Sequence, residues 1–397
     1  MLMLKRRHLS VSESVGKGHP DKICDQISDS ILDAILAKDP NARVAVEVMA
    51  SNRLIIIGGE VSTKAYVDVV KTAWKVVFAI GYNENDFTII SNVNTQSADI
   101  AKKVDKSDTL GAGDQGVVYG YACSETKNFY PLSASLAHAL TKYAEELRSK
   151  KKFPYAKADM KSQVEVDFSN WEQPKIVKMI MSVQHEAKID DKKFKQFIHK
   201  DIMQKIAQDY GLNLDFETII NPGGQFVIGG TIGDTGLTGR KIIVDSYGDR
   251  AHHGGGAFSG KDYTKVDRSG AYFARWIAKN LVAAGVAKEL EIQLSFAIGI
   301  AEPISISVEQ IQAGKFSEEQ IVQCIKNVFN TSVKGFVEDL ELRKPIYKQT
   351  ATYGHFGRND IDLPWERLNK VKQIIESFIS RFEELKETFL LEKQNVL

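Results

Sequence analysis

Cysteine is scarce in this sequence: Cys24, Cys123 and Cys324 are the only three in 397 residues, and they stand far apart. With no CxxC pair and no metal-finger spacing, neither a disulfide framework nor a zinc ribbon is expected, and a reducing, cytoplasmic setting is. Net charge is almost absent as well, with Lys+Arg 52 against Asp+Glu 51. Such a balance gives no global field for a phosphate backbone, which excludes the simplest kind of nucleic-acid binder. No run approaches about 18 consecutive apolar residues, so no membrane-spanning helix is expected. The apolar run Met1 to Leu4 before Lys5-Arg6-Arg7 is too short for a signal peptide. What remains is ordinary: 43% hydrophobic and 26% charged residues suit a globular chain and not a disordered one. The length predicts two or three domains with ample core.

One pattern recurs three times. A β-branched run from Arg43 to Val48, a turn at Ser51-Asn52 and a second run from Leu54 to Ile57 lead into an amphipathic stretch from Thr63 to Ile80. The same order follows as Val164 to Phe168, Ile176 to Val183 and a helical stretch from Lys192 to Ala207. It returns as Ile292 to Gly299, Ile304 to Val308 and Ser317 to Phe329. A strand-strand-helix repeat of domain size predicts an α/β (α+β) protein of three similar units. Each unit is an open sheet with a helix on one face, and the simplest packing gives all three a common core.

Two segments stand outside the repeat. Gly223 to Gly260 holds 12 of the 29 glycines, together with Arg240, Lys241 and Arg250. Glycine lets backbone amides approach an anion, and the cations add charge; the competing reading is a set of tight turns. Gln96 to Leu110 is rich in Ser, Asp, Lys and Thr and reads as a mobile loop, or else an inert linker.

The string Gly255 to Asp262 nearly matches the P-loop pattern GxxxxGK[ST], but Asp262 has no hydroxyl for magnesium. It reads as a different phosphate-contacting loop, with Lys261, Lys265 and Arg268 as candidates for the oxyanions. Gly18-His19-Pro20-Asp21-Lys22 opens a helix in which Ile23, Ile27, Ile31 and Ile35 recur every fourth position. Pro20 suits the first helical position and Asp21 the positive dipole end. The group could hold a phosphate chain and its magnesium, or be a plain helix cap. Glu47, Glu60, Asp114, Asp159, Asp234 and Asp267 read singly as surface acids, though glycine turns around Asp114 and Asp234 favour a ligand role. Unaided, the sum is an enzyme handling ATP or polyphosphate with lysines, one histidine and magnesium carboxylates.

Gly-His-Pro-Asp at 18–21, Gly-Ala-Gly-Asp-Gln-Gly at 111–116 and Gly-Gly-Gly-Ala-Phe-Ser-Gly-Lys-Asp at 254–262 together resemble the S-adenosylmethionine synthetase (methionine adenosyltransferase) family. Supporting strings are Gly58-Gly59-Glu60, Lys161 to Val164, Gly233 to Lys241 and Tyr353-Gly-His-Phe-Gly-Arg358, so the resemblance spans about Leu9 to Arg367. It implies three similar domains with pseudo-threefold symmetry, here 8–103, 113–229 and 230–366, plus a helical tail at 367–397. It also implies that the methionine sulfur displaces the triphosphate of ATP, which is then cleaved to pyrophosphate and phosphate. A neutral thioether is a weak nucleophile, so dense positive charge on the leaving group and in-line alignment are required.

Carried over by position, the resemblance makes His19 a contact near the departing oxygen and Asp21 and Asp267 magnesium ligands. It puts Lys161, Arg240, Lys241, Lys261 and Lys265 in a cationic cluster, Lys265 on the methionine side. It assigns Asp159, Gln225, Phe226 and Ala257 to ATP, and Phe226 to stacking near adenine. Glu60 and Gln96 fall to methionine, Asp234 to its amino group, Glu47 to potassium and Asp114 to a loop at the site. Two magnesium ions and one potassium per site, and a homotetramer built as a dimer of dimers with sites between subunits, are further implications. Gln225 departs from the family, which often has a basic residue there, and the tail from Pro364 is long. A kinase would use the same groups but release ADP, and a nucleotide sensor would bind ATP without turnover.

Overall fold

The computed structural model describes residues 9–95, 105–106, 109–312, 314 and 316–379. Gln96, most of the loop expected at 96–110 and the tail from 380 onward lie outside the described residues. The first unit comprises β1 (Leu9–Val15), α1 (Pro20–Leu36), β2 (Arg43–Ser51), β3 (Leu54–Ser62), α2 (Val69–Ile80) and β4 (Thr88–Asn94). The second repeats the order as β5 (Gly116–Cys123), α3 (Leu132–Ser149), β6 (Ala156–Asp167), β7 (Lys175–His185), α4 (Asp191–Phe197) and β8 (Glu217–Ile220). The third has β9 (Gly236–Leu237), α5 (Val266–Ala283), β10 (Glu289–Phe296), β11 (Ser305–Gln312) and α6 (Glu318–Val328). The strand-strand-helix expectation is met in all three.

The leading strand of each unit belongs to another unit's sheet. β1 pairs antiparallel with β6, β5 with β10, and β9 with β2. The sheet orders are therefore β9-β2-β3-β4, β1-β6-β7-β8 and β11-β10-β5. Local chemistry explains the elements themselves. In α1 the fourfold isoleucine spacing buries Ile23, Ile27, Ile31 and Ile35, while β2 alternates buried Val44, Val46, Val48 and Ala50 with outward residues. The second helix begins at Val69, later than the periodicity from Thr63 suggests, because Asp68 accepts a hydrogen bond from the Lys71 amide at 2.8 Å and caps the helix there. Ser317 and Gln320 form a reciprocal capping box at the start of α6. Beyond α6, Ile374 of the tail is buried and Phe378 stacks on Phe316 at 4.0 Å.

The expectation of one common core is met in part. One core takes side chains from all three units, running from Ile23 and Val44 through Val118, Tyr121 and Tyr130 to Tyr272, Trp276 and Trp365. The second unit also has a separate core, built from Leu136, Leu140, Met160, Val164, Met179 and Ile202. A polar seam on β1 lies beside it. Ser10 and Ser12 hydrogen-bond Ser133 at 2.9 Å each, and Ser14 bonds His138 at 2.8 Å, all buried. The sheets keep one face uncovered, where Met49 and Leu54 are 41% and 38% exposed. No described helix is long and apolar enough to cross a membrane.

Candidate functional site

The start of α1 gathers the first group. His19 is the N-cap, in extended backbone, and its Nδ1 accepts a hydrogen bond from the Asp21 amide at 3.2 Å. That fixes the neutral tautomer with its proton on Nε2, free to donate outward. Burial first, then the charge of Lys241 and more weakly of Lys161, lowers the imidazole pKa to about 3, against a smaller opposing pull from Asp21. The glycine before it is required sterically: a Cβ on Gly18 would lie 2.4 Å from the Ala158 Cβ. The turn thus lies flat on β6, and β6 also carries Asp159 and the exposed Lys161.

The glycine-rich segment closes over this turn. Asp21 accepts from the Leu237 amide at 3.0 Å and from Lys241 Nζ at 2.6 Å, with Arg240 Nη1 at 4.0 Å. Those bonds hold the Asp21 carboxyl below its usual range despite burial. A Cβ on Gly236 would stand 2.2 Å from the Pro20 carbonyl carbon, so only glycine allows the approach. Asp159 accepts from the Gly230 amide at 2.8 Å, its other oxygen has no partner, and burial pushes its pKa up to about 6. Asp234 is exposed in the same segment and accepts from the Thr235 amide. Phe226 is pinned to His185 by two bonds, amide to Nε2 at 3.0 Å and carbonyl from the His185 amide at 2.9 Å, leaving Gln225 exposed beside it. The structure therefore brings together His19, Asp21, Asp159, Lys161, Arg240 and Lys241.

The second group surrounds the loop 254–262, which adds to β2 through an Ala45–Lys261 bridge. Lys261 pairs with Asp267 at 2.7 Å, and the bare Cα of Gly256 faces that carboxylate. Lys265 pairs with Asp262 at 2.5 Å, and Asp262 also accepts from the amides of Val44 and Thr264. The residue standing where a P-loop has Ser or Thr is thus a buried turn anchor. Asp114 is exposed next to Gly113, whose amide bonds the Thr264 carbonyl, and Ala257 packs at Gly239. Among the described residues no ion pair joins this group to the first. Glu47 and Glu60 are exposed on the sheet of β2 and β3; Glu47 stands between Val46, whose amide donates to the Gly260 carbonyl, and Val48, whose carbonyl accepts from the Thr238 amide, and Glu60 lies opposite Ala45, which bridges Lys261.

Arg268 corrects the sequence reading. Its guanidinium is 1% exposed, holds both oxygens of Asp29 at 2.6 and 2.9 Å and lies under Tyr347, so it is not open to an oxyanion. Asp29 belongs to a feature the reading missed. Asp21, Asp25, Asp29 and Asp33 repeat every fourth residue on α1, and each takes a loop amide: Leu237, Gly239, Gly260, and Tyr347 with Lys348. The signal was present as an i, i+4 stripe of acids, and so was Lys22, fully buried between Asp25 and Asp245.

Magnesium fits the donors present. Asp21 and Asp267 each present one hard-oxygen carboxylate, paired here with a lysine, and among the described residues no cluster of three metal-binding side chains occurs. One or two carboxylates completed by phosphate oxygens and water is how magnesium is usually held. For potassium, Glu47 offers an exposed carboxylate on β2.

Family models describe the same span. The N-terminal, central and C-terminal domains of S-adenosylmethionine synthetase match residues 7–107, 109–226 and 228–367. The S-adenosylmethionine synthase of Mycoplasmopsis pulmonis is 58% identical over 374 residues, covering 94% of this chain and 100% of the relative. That of Mesoplasma florum is 51% identical over 376 residues (93% and 99%), and that of Clostridium tetani 47% over 386 (93% and 99%). Three matched domains in order and 47–58% identity over almost the whole length of these relatives leave one conclusion: the chain belongs to the S-adenosylmethionine synthetase family.

Proposed function

We propose that this protein makes S-adenosylmethionine from ATP and L-methionine. The sulfur lone pair forms the bond to the 5′ carbon, the C5′–O bond breaks, and its electrons leave on the triphosphate; a water molecule then attacks phosphorus and cleaves the triphosphate to pyrophosphate and phosphate. The observation that carries this reading is the convergence of His19, Asp159, Lys161, Arg240 and Lys241 around one helix N-terminus. The three cations, the neutral imidazole and the helix N-terminus among them match a leaving group of high negative charge. His19 donates from Nε2 to the departing oxygen as a neutral ring. Lys161, Arg240 and Lys241 neutralise the chain of phosphates. Lys261 and Lys265 take the far phosphates and the methionine carboxylate, Asp234 the methionine amino group with Glu60 and Gln96, and Phe226, Gln225 and Ala257 the adenosine. Asp114 lines the approach. Magnesium, held by Asp21 and Asp267, would supply further charge neutralisation on the phosphates.

The active unit is a homo-oligomer, a tetramer built as a dimer of dimers. Uncovered sheet faces bearing Met49, Leu54 and Ile90 support this, since such patches mark interfaces. In that arrangement the Lys261–Asp267 group of one protomer completes the His19–Asp21 group of its partner. The domains run 8–103, 113–229 and 230–366 with a tail at 367–397, and free, buried cysteines agree with a cytoplasmic setting. The test is incubation with ATP, methionine, magnesium and potassium. S-adenosylmethionine by mass, with phosphate and pyrophosphate, is expected; ADP without it would replace the reading with phosphoryl transfer, and no turnover with a nucleotide sensor.

A further inference from the structure

The motif Tyr353-Gly-His-Phe-Gly-Arg358 has no part in the site so far, yet its histidine lies between the anchors of both cationic loops. From the Lys261 side, the Gly260 amide donates to Asp29 Oδ1 at 2.8 Å, and Arg268 grips that carboxylate. Arg268 Nε donates to the Tyr272 hydroxyl at 2.9 Å, so the hydroxyl proton points the other way, to His355 Nδ1 at 2.6 Å. The His355 proton therefore sits on Nε2. From the Lys241 side, the Gly239 amide donates to Asp25 Oδ1 at 2.8 Å, and Lys22 bonds both Asp25 Oδ2 and Asp245. The two runs meet at a gap: His355 Nε2 is buried, has no hydrogen-bond partner, and lies 3.7 Å from Asp245 Oδ1.

The ring is held at that distance from several sides. The His355 amide donates to the Asp245 carbonyl at 2.9 Å, Trp365 Nε1 donates to the His355 carbonyl at 2.9 Å, and Trp365 stacks on Tyr272 at 3.9 Å. Burial and the cations Arg268, Lys22 and Arg358 keep the imidazole neutral. An orphaned buried N–H is costly, and a small movement of the Gly239–Asp245 segment would satisfy it.

We propose that His355 is a positioning residue that couples the segment carrying Arg240 and Lys241 to the loop carrying Lys261, its Nε2–H closing on Asp245 when each is drawn onto phosphate, the first in this protomer's own site and the second in the site it completes for its partner. The inference rests on the assignment of those three cations above.

The test is a double-variant cycle in the full-length protein, with kcat and both KM values measured. Tyr272→Phe deletes one hydroxyl, and Asp25→Asn keeps an acceptor for the Gly239 amide while removing the charge facing Lys22. Each is expected to lower kcat about tenfold with KM for ATP and methionine changed by less than about twofold. The double variant should fall short of the product of the singles by about fivefold or more. His355→Phe, which keeps the ring volume, should match the double variant. Unaltered kcat in folded Tyr272→Phe, losses that simply multiply, or losses confined to KM would each overturn the coupling. If His355→Phe does not fold, the two-residue cycle decides alone. Wild-type protein making no S-adenosylmethionine defeats the functional reading; wild-type activity with uncoupled variants defeats only this inference.

Discussion

His19 does two jobs that one substitution can separate. Its Nδ1 caps α1 by accepting the Asp21 amide, and its Nε2 proton is free for the leaving oxygen. Asparagine is among the best N-caps, and its side-chain oxygen can take the same amide. His19→Asn should therefore keep the unfolding midpoint close to wild type while removing a donor aimed at developing charge. Loss of one such donor in a water-poor site costs about 2.7–4 kcal/mol, or ~100- to 1000-fold in kcat. His19→Ala should show the same loss in kcat plus about 1 kcal/mol of stability from the missing cap. Because the ring is 2% exposed with its pKa near 3, it stays neutral above that range, and the wild-type rate should show no inflection near 6.5 from this residue. The assay is the initial rate of S-adenosylmethionine formation at saturating ATP and methionine, beside a denaturation curve for each variant. If His19→Asn turns over within about threefold of wild type, well inside the loss expected for a removed donor, the imidazole is a cap only and the assignment fails.

Three further outcomes are expected. Lys161→Met should lower turnover roughly 100-fold or more with ATP still bound, and near-normal turnover in a steady-state assay would remove this lysine from the leaving-group set. Inactive Asp21→Asn mixed with inactive Asp267→Asn should recover part of the activity after subunit exchange; no recovery with exchange verified by mass would argue against a shared site. His138 is fully buried, and burial, then Arg358 and Lys22, lower its pKa to about 3. The unfolded chain then binds a proton at this ring that the folded chain refuses, so stability should fall as pH drops from 6.5 toward 3, by up to ~1.4 kcal/mol per pH unit. His138→Gln should flatten that slope in urea titrations, and an unaltered slope would show that other groups set it.

Short-range pattern carried most of the fold. The isoleucine spacing of α1, the alternation of β2 and the Ser317 cap are each visible within a few residues, as are the glycine turns at Gly236 and Gly256. What escaped depends on partners far along the chain. Arg268 follows a phosphate-like glycine loop, and nothing nearby says that α5 turns its guanidinium back onto Asp29. In β1 the serines, not Leu9 and Val11, face inward, because their hydroxyls meet Ser133 and His138 of a different unit. The separation of the Lys261–Asp267 pair from His19 is likewise invisible in motifs that stand intact in sequence.

The exchanged leading strands make the order of synthesis matter. As the chain leaves the ribosome, β1 has no neighbour until Ala156–Asp167 is made, and β2 keeps a bare edge until Gly236–Leu237 arrives. The first unit cannot finish its sheet alone, and cutting the chain between units would strip a strand from each fragment's neighbour. Pairings across such spans slow folding and leave edges open to other chains meanwhile. The same interlock means that the finished protein should come apart as one body, so heat or urea should report a single transition in which no unit outlives the rest.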